Sequence, residues 1–157
     1  DTVTGITLMQ MDVGLDTGAM LKTETCEIRP EDTEQTLHDK LAELGGKMLS
    51  ESIDDIETYP KVPQDDTQAT YAKKLDKSEA PLDWQEPAIV LARKVRAFTP
   101  WPVAQAEIFG LTLRIWEAQA LPLTRTTEEV GSVLHGQRDG IDIMTSDGVL
   151  ARSQPTF

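Results

Sequence analysis

The period of the apolar residues changes part-way along this chain, and that change restricts the fold more than any other feature. Leu37, Leu41, Leu44, Met48, Ile53 and Ile56 fall three to five residues apart, which gives a helix one apolar face. Beyond Trp101-Pro102 the apolar residues come in short runs instead: Val103–Phe109, Leu111–Ala118, Val130–Leu134 and Ile141–Thr145, with turns at Gly110 and Asp147-Gly148. Runs of that length and spacing predict short strands closed into a small, OB-like barrel. Between the two textures, Tyr59 to Asp66 holds Pro60 and Pro63 and is otherwise polar, as a linker is. In 157 residues this predicts a first domain over 1–59, a linker over 60–78 and a barrel domain over 79–157.

The first domain opens on a β-branched, alternating stretch, Thr2 to Met11, which reads as a strand. The glycine-bracketed loop Asp12-Val-Gly-Leu-Asp16-Thr-Gly18 follows, and then a second extended stretch, Ala19 to Ile28. Arg29-Pro30-Glu31-Asp32 introduces the long helix, with Asp32 as the expected N-cap and Gln35 as its capping-box partner. Gly45-Gly46 interrupts that helix at a propensity cost of about 1 kcal/mol each, which predicts either a break or a close packing contact. In the second domain a helix spans about Glu86 to Phe98, with Pro87 in its first turn and a buried stripe of Ala88, Leu91, Ala92, Val95 and Phe98.

A net charge of −12 argues at first against a nucleic-acid partner, yet it is unevenly spread. Residues 1–59 hold 4 Lys/Arg against 14 Asp/Glu, a balance of −10, whereas residues 60–157 hold 11 against 13, a balance of −2. Lys73, Lys74, Lys77, Arg93, Lys94 and Arg96 crowd together in the second part. Local fields matter more than totals for a polyanion, although from charge alone a solvated mixed surface is the simpler reading. A single cysteine, Cys26, cannot close an internal disulfide, which fits a reducing cytoplasm. No apolar run is long enough to span a bilayer. His38 and His135 stand outside any metal-ligand pattern, so no metal is expected. Trp84 and Trp116 are expected in the core, and stacking on bases is the alternative use of the tryptophans.

Asp16 is the candidate for chemistry, because a loop directly after a strand is where α/β folds place reacting groups. Asp-Thr-Gly is also ordinary turn material, and from spacing alone the turn reading leads. Leu15-Asp-Thr-Gly-Ala19 further has the form of an aspartic-protease loop. The helical pattern of about 25 residues that follows does not suit an all-β protease.

Four stretches, in order, resemble one family. They are Thr4-Gly-Ile-Thr-Leu-Met-Gln-Met-Asp-Val-Gly-Leu-Asp-Thr-Gly-Ala-Met-Leu21; Glu31-Asp-Thr with Thr36-Leu-His-Asp-Lys-Leu41; Thr70-Tyr-Ala-Lys-Lys-Leu75 with Leu82-Asp-Trp84; and Arg96-Ala-Phe-Thr-Pro-Trp-Pro102. Together they are similar to methionyl-tRNA formyltransferases from about Thr4 to Leu150. Pro81 to Trp84 and Arg96 to Pro102 also resemble sugar formyltransferases, whereas the full Gly-Leu-Asp-Thr-Gly loop and Thr-Tyr-Ala favour the tRNA enzyme.

The resemblance implies an α/β fragment, the end of a Rossmann-like formyltransferase domain, joined by a linker to the OB-like barrel. It implies formyl transfer from 10-formyltetrahydrofolate to the amino group of methionyl initiator tRNA, in a cytoplasmic monomer. Asp16 matches the Asp of the family's catalytic Asn, His and Asp, and the backbone of Met11, Asp12, Val13, Gly14 and Leu15 would line the pterin pocket. Lys73, Lys74, Lys77, Arg93 and Lys94 would meet tRNA, while Arg96 is expected to serve the domain junction. The Asn, the His and the glycine-rich start would lie upstream of Asp1, making β-strand 1–11 part of a parallel sheet, and the last barrel strands would follow Leu150. The chain is therefore expected to be a fragment, inactive alone. A sugar or hydrolase-type formyltetrahydrofolate enzyme and a stand-alone RNA-binding barrel are the alternatives.

Overall fold

A computed structural model of the chain describes residues 1–122, 127–137 and 140–151. The chain divides into two compact units, Asp1–Lys74 and Leu75–Phe157.

In the first unit, β1 (Val3–Met9) and β2 (Met20–Glu27) pair antiparallel, with Val3 opposite Glu27 and Leu8 opposite Lys22. Among the described residues β1 has β2 as its one partner. The helix α1 (Glu34–Ser52) is unbroken. Its half-buried Leu37, Leu41 and Leu44 lead to the buried Met48 as the period requires, but Ser52 continues the stripe and Ile53 is exposed. The cause is the α period itself, since Ser52 is four residues from Met48 and shares its face whereas Ile53 is five away and turns off it; from Ile53 to Thr58 the chain continues as 3-10 helix. The Ser52 hydroxyl, fully buried, accepts from the Tyr59 hydroxyl at 3.2 Å and from Lys22 Nζ at 3.4 Å.

The cap lies one residue beyond the expected position. Thr33 is the N-cap: its hydroxyl accepts from the Thr36 amide at 3.2 Å, and the Thr36 hydroxyl accepts from the Thr33 amide at 3.0 Å. Asp32 is held outside the helix by stronger partners. It accepts from the Arg29 amide at 2.8 Å and from Lys40 Nζ at 2.6 and 2.7 Å, and charge-assisted bonds of this kind outweigh a neutral cap. Gln35 instead donates to Asp39 at 2.9 Å.

In the second unit, α2 (Ala88–Ala97) follows Pro87, which serves as its N-cap rather than lying in its first turn. All five stripe residues, Ala88, Leu91, Ala92, Val95 and Phe98, are buried. Leu91, Ala92, Val95 and Phe98 form one core with Leu82, Ala104, Ala118 and Leu150, against which Trp84, Ile115 and Ala120 pack. Trp116 departs from expectation, remaining half-exposed like Trp101.

The strands β3 (Ala104–Ile108) and β4 (Leu111–Ile115) form a hairpin over Phe109-Gly110. Both turn residues have positive φ, 52° and 76°, the arrangement that suits the twist of a two-residue hairpin. The strands β5 (Gln119–Leu121), β6 (Val133–Gln137), β7 (Gly140–Met144) and β8 (Val149–Ala151) make a second antiparallel sheet in the order β5-β8-β7-β6. His135 lies within β6. The fold is mixed α/β, and among the described residues the two sheets do not join into a closed barrel. A cavity of about 490 Å³, walled by Ile108, Leu113, Ile115, Ile141, Ile143 and Leu150, lies between them.

Two predictions follow from these local features. Gly46 sits inside α1 with nothing within 4 Å of where a Cβ would stand. Gly46→Ala is expected to stabilise the chain by about 0.5–1 kcal/mol, and an unchanged midpoint in urea denaturation would contradict it. Lys40, with the Arg29 amide, holds the Asp32 carboxyl at about 2, below its ordinary 3.8. A depressed folded-state value means that this stability is complete above about pH 4 and is lost as pH falls toward 2. Thermal unfolding followed by circular dichroism should therefore show Asp32→Asn losing less Tm than the parent chain over that interval, and parallel curves would count against the pair.

Candidate functional site

The connection between β1 and β2 runs from Gln10 to Ala19, and its neck is tied by a bond from the Gln10 amide to the Ala19 carbonyl at 2.9 Å. Gly18 is buried in that neck, where any Cβ would overlap the Gln10 carbonyl oxygen. A Cβ at Gly14 would likewise overlap the Thr17 side chain. The two glycines of the motif are thus a matter of space rather than of composition. Asp16 itself has φ 56°, a left-handed conformation to which Asp and Asn are better suited than most residues. Asp12 closes a local turn by accepting from the Val13 amide at 2.7 Å.

Met11, Val13 and Leu15 are 83%, 102% and 85% exposed. Three apolar side chains held in solvent along a short stretch of backbone would suit a flat heteroaromatic ring that also takes hydrogen bonds from the main chain. The five residues expected to line a pterin pocket and Asp16 therefore share one loop.

Sequence reasoning missed what holds this loop. Val62 and Met20 exchange backbone bonds of 2.8 and 2.9 Å, so the segment expected to be a free linker begins as an extension of the β2 edge. Gln64 Nε2 then donates to the carbonyls of Asp16 and Gly18, each at 2.8 Å. The alternation of Val62 and Gln64 around Pro63 was the one available signal, and two residues cannot establish a period.

The basic residues are placed differently from one another. Lys73 and Lys74 are exposed near the end of the first unit, and Lys77 is exposed in a 3-10 turn, Lys77–Glu79. Arg93 is exposed on α2. Lys94 is half-buried, donates to the Pro81 carbonyl at 3.1 Å and lies 5.7 Å from the centroid of the Phe98 ring. Arg96 donates back to the Ala92 carbonyl at 3.2 Å, a local structural use. Among the described residues no acidic, His and Cys side chains group as a metal site, and no helix is long and apolar enough to cross a membrane.

Known proteins share this arrangement of segments. Residues 1–53 match the family described as formyl transferase, and residues 74–154 match the formyl transferase C-terminal domain. The chain belongs to the formyl transferase family. It is 48% identical over 153 residues to a methionyl-tRNA formyltransferase of Nitrosococcus oceani, covering 96% of this chain and 47% of the relative. It is 46% identical over 156 residues to that of Hydrogenovibrio crunogenus, covering 98% and 50%. This formyl transferase chain thus spans about half the length of the curated relatives it matches.

Among solved structures, the N-formyltransferase from Helicobacter canadensis, in complex with folinic acid and dTDP-3-aminofucose, superposes with a TM-score of 0.73 at 19% identity. That match covers 98% of this chain and 56% of the other. HypX from Aquifex aeolicus, in complex with tetrahydrofolic acid, gives 0.70 at 20% identity, covering 97% and 27%. At such identities the formyl transferase fold is what is shared.

Proposed function

We propose that this chain is the part of a methionyl-tRNA formyltransferase that carries the catalytic Asp and the tRNA-holding C-terminal region. The enzyme would transfer the formyl group of 10-formyltetrahydrofolate to the amino group of methionyl initiator tRNA, in the cytoplasm and as a monomer. The observation that carries this reading is 48% identity to such an enzyme across 96% of the chain, with the Asp16 loop intact. The sugar-linked relatives match at 17–19% identity, so nothing specific favours a sugar acceptor.

In this reading residues 1–59 would end a Rossmann-like folate domain and residues 60–78 would link it onward to residues 79–157, whose two sheets would belong to an OB-like barrel in the complete enzyme. The exposed apolar side chains and the backbone of Met11, Asp12, Val13, Gly14 and Leu15 would meet the pterin of the formyl donor. The donor supplies an activated one-carbon group, and attack by the amine places negative charge on the formyl oxygen. Asp16 would act through proton traffic. In the family's trio a carboxylate beside an imidazole favours its protonated form, which can stabilise an oxyanion and deliver a proton. Lys73, Lys74, Lys77 and Arg93 would neutralise tRNA phosphates. Lys94 would add less, since its ammonium already serves the Pro81 carbonyl.

Two experiments test the halves of this reading in a full-length formyltransferase carrying this sequence. Asp16→Asn is expected to lower kcat by on the order of 10²-fold or more while leaving tRNA binding intact. A kcat within a few-fold of the parent would return Asp16 to a turn residue. With Lys73, Lys74, Lys77 and Arg93 changed to Gln, the slope of log affinity for initiator tRNA against log salt should fall by roughly 0.7–0.9 per lost phosphate contact, whatever the tRNA sequence. An unchanged slope would place the tRNA elsewhere.

A further inference from the structure

We propose that Gln64 is a positioning residue, whose side-chain amide clamps the Asp16 loop into its working shape. This rests on the reading of Asp16 as the catalytic carboxylate. The geometry starts from the register. Met20 and Val62 exchange both backbone bonds, so an antiparallel pairing continued in the same register would set Gln64 opposite Gly18. The chain peels away after Val62, so Gln64 does not enter the ladder by its backbone.

At this point the side chain takes over from the backbone. Gln64 Nε2 makes the bond to the Gly18 carbonyl that a strand partner would have made. It also reaches one step further, to the carbonyl of Asp16. A primary amide has two N–H donors, and here two main-chain carbonyls two residues apart receive them. The same nitrogen lies 3.9 Å from Met9 Sδ, at the other side of the loop's base.

The clamp answers a specific difficulty. A residue at φ 56° holds that conformation only when its surroundings impose it. The side chains of the Asp16 loop from Met11 to Thr17 are exposed, so packing does little to impose it. The glycine neck fixes where the loop closes, and the amide of Gln64 fixes the carbonyl of the residue whose carboxylate must be aimed. A catalytic group has to be held within about half an ångström of its productive position, and a loop tied only at its neck would not be.

The test separates donor chemistry from bulk, and the clamp from the catalytic reading. Gln64→Met keeps the length and removes both donors, whereas Gln64→Lys keeps donors at a similar reach. In this chain, Gln64→Met should speed hydrogen exchange at the Gln10 amide by about tenfold, as expected for losing one exposed and one partly buried bond. Amides within the β1–β2 ladder should keep their rates, which shows that the unit remains folded. In a full-length formyltransferase carrying this sequence, Gln64→Met should lower kcat by about tenfold or more with KM for Met-tRNA unchanged, and Gln64→Lys should recover most of the loss. Unchanged exchange at Gln10 overturns the clamp, as does equal impairment by Met and Lys. Faster exchange with unchanged kcat supports the clamp and overturns the catalytic reading of Asp16, and Asp16→Asn would then also be silent.

Discussion

The close approach of Gly18 to the Gln10 carbonyl is the contact on which the Asp16 loop depends. It lets the chain leave β1, make a projecting loop and return as β2 through a neck closed by one backbone bond. A larger residue there would push the two strands apart at the point where pairing starts. Above the neck, the side chains from Met11 to Thr17 face solvent, so the loop's shape is decided by hydrogen bonds and steric limits rather than by burial. Below it, α1 packs against both strands of the hairpin, and its Leu37, Leu41, Leu44 and Met48 stripe is half-buried to buried. The stable part of this unit is therefore a base, and under the proposed function the loop that it holds out would carry the chemistry.

Where the sequence was legible, the determinant was local. The α2 stripe could be read because Ala88, Leu91, Ala92, Val95 and Phe98 share one helical face, and a face of that width has one way to be buried. The β3–β4 hairpin could be read from alternation around Gly110. Asp32 was misjudged as the cap because propensity weighs each residue against the backbone alone, while Lys40, eight residues on, competes for the same carboxylate. The three-residue strands β5 and β8 left no periodic trace at all. The Asp16 loop was visible as a motif, but its clamp was not, since nothing near Gln64 in sequence announces a partner at Asp16. The barrel was inferred from strand spacing, which sets the number and length of strands and not which edges meet.

Charge shows the same division between total and local. A balance of −10 over residues 1–59 belongs to a unit whose acidic side chains lie largely on its surface, with Asp32 neutralised by Lys40 and Glu24 by Lys22. The basic residues of the second part are not equivalent: Arg93 is exposed, whereas Lys94 and Arg96 are engaged with carbonyls of their own unit. Counting cations along the sequence therefore overstates how many can meet a phosphate. A net charge of −12 is as poor a guide, since at physiological ionic strength fields die away within about 8 Å.

The pattern of likeness fits this separation of tasks. Proteins with about 20% identity keep the fold, whether the solved complex holds a nucleotide sugar or a folate. The features that shape the Asp16 loop, a glycine without room for a Cβ and a side-chain amide on two carbonyls, act on the main chain and are indifferent to the acceptor amine. Under the proposed function the loop therefore serves formyl transfer as such. Discrimination between one amine and another would then come from surfaces outside it, and under the same proposal the exposed cations Lys73 and Lys74 of the first unit and Lys77 and Arg93 of the second would each meet phosphates of a long, highly charged acceptor. A sugar nucleotide carries too few phosphates to engage so many cations, whereas a tRNA presents them along its whole backbone.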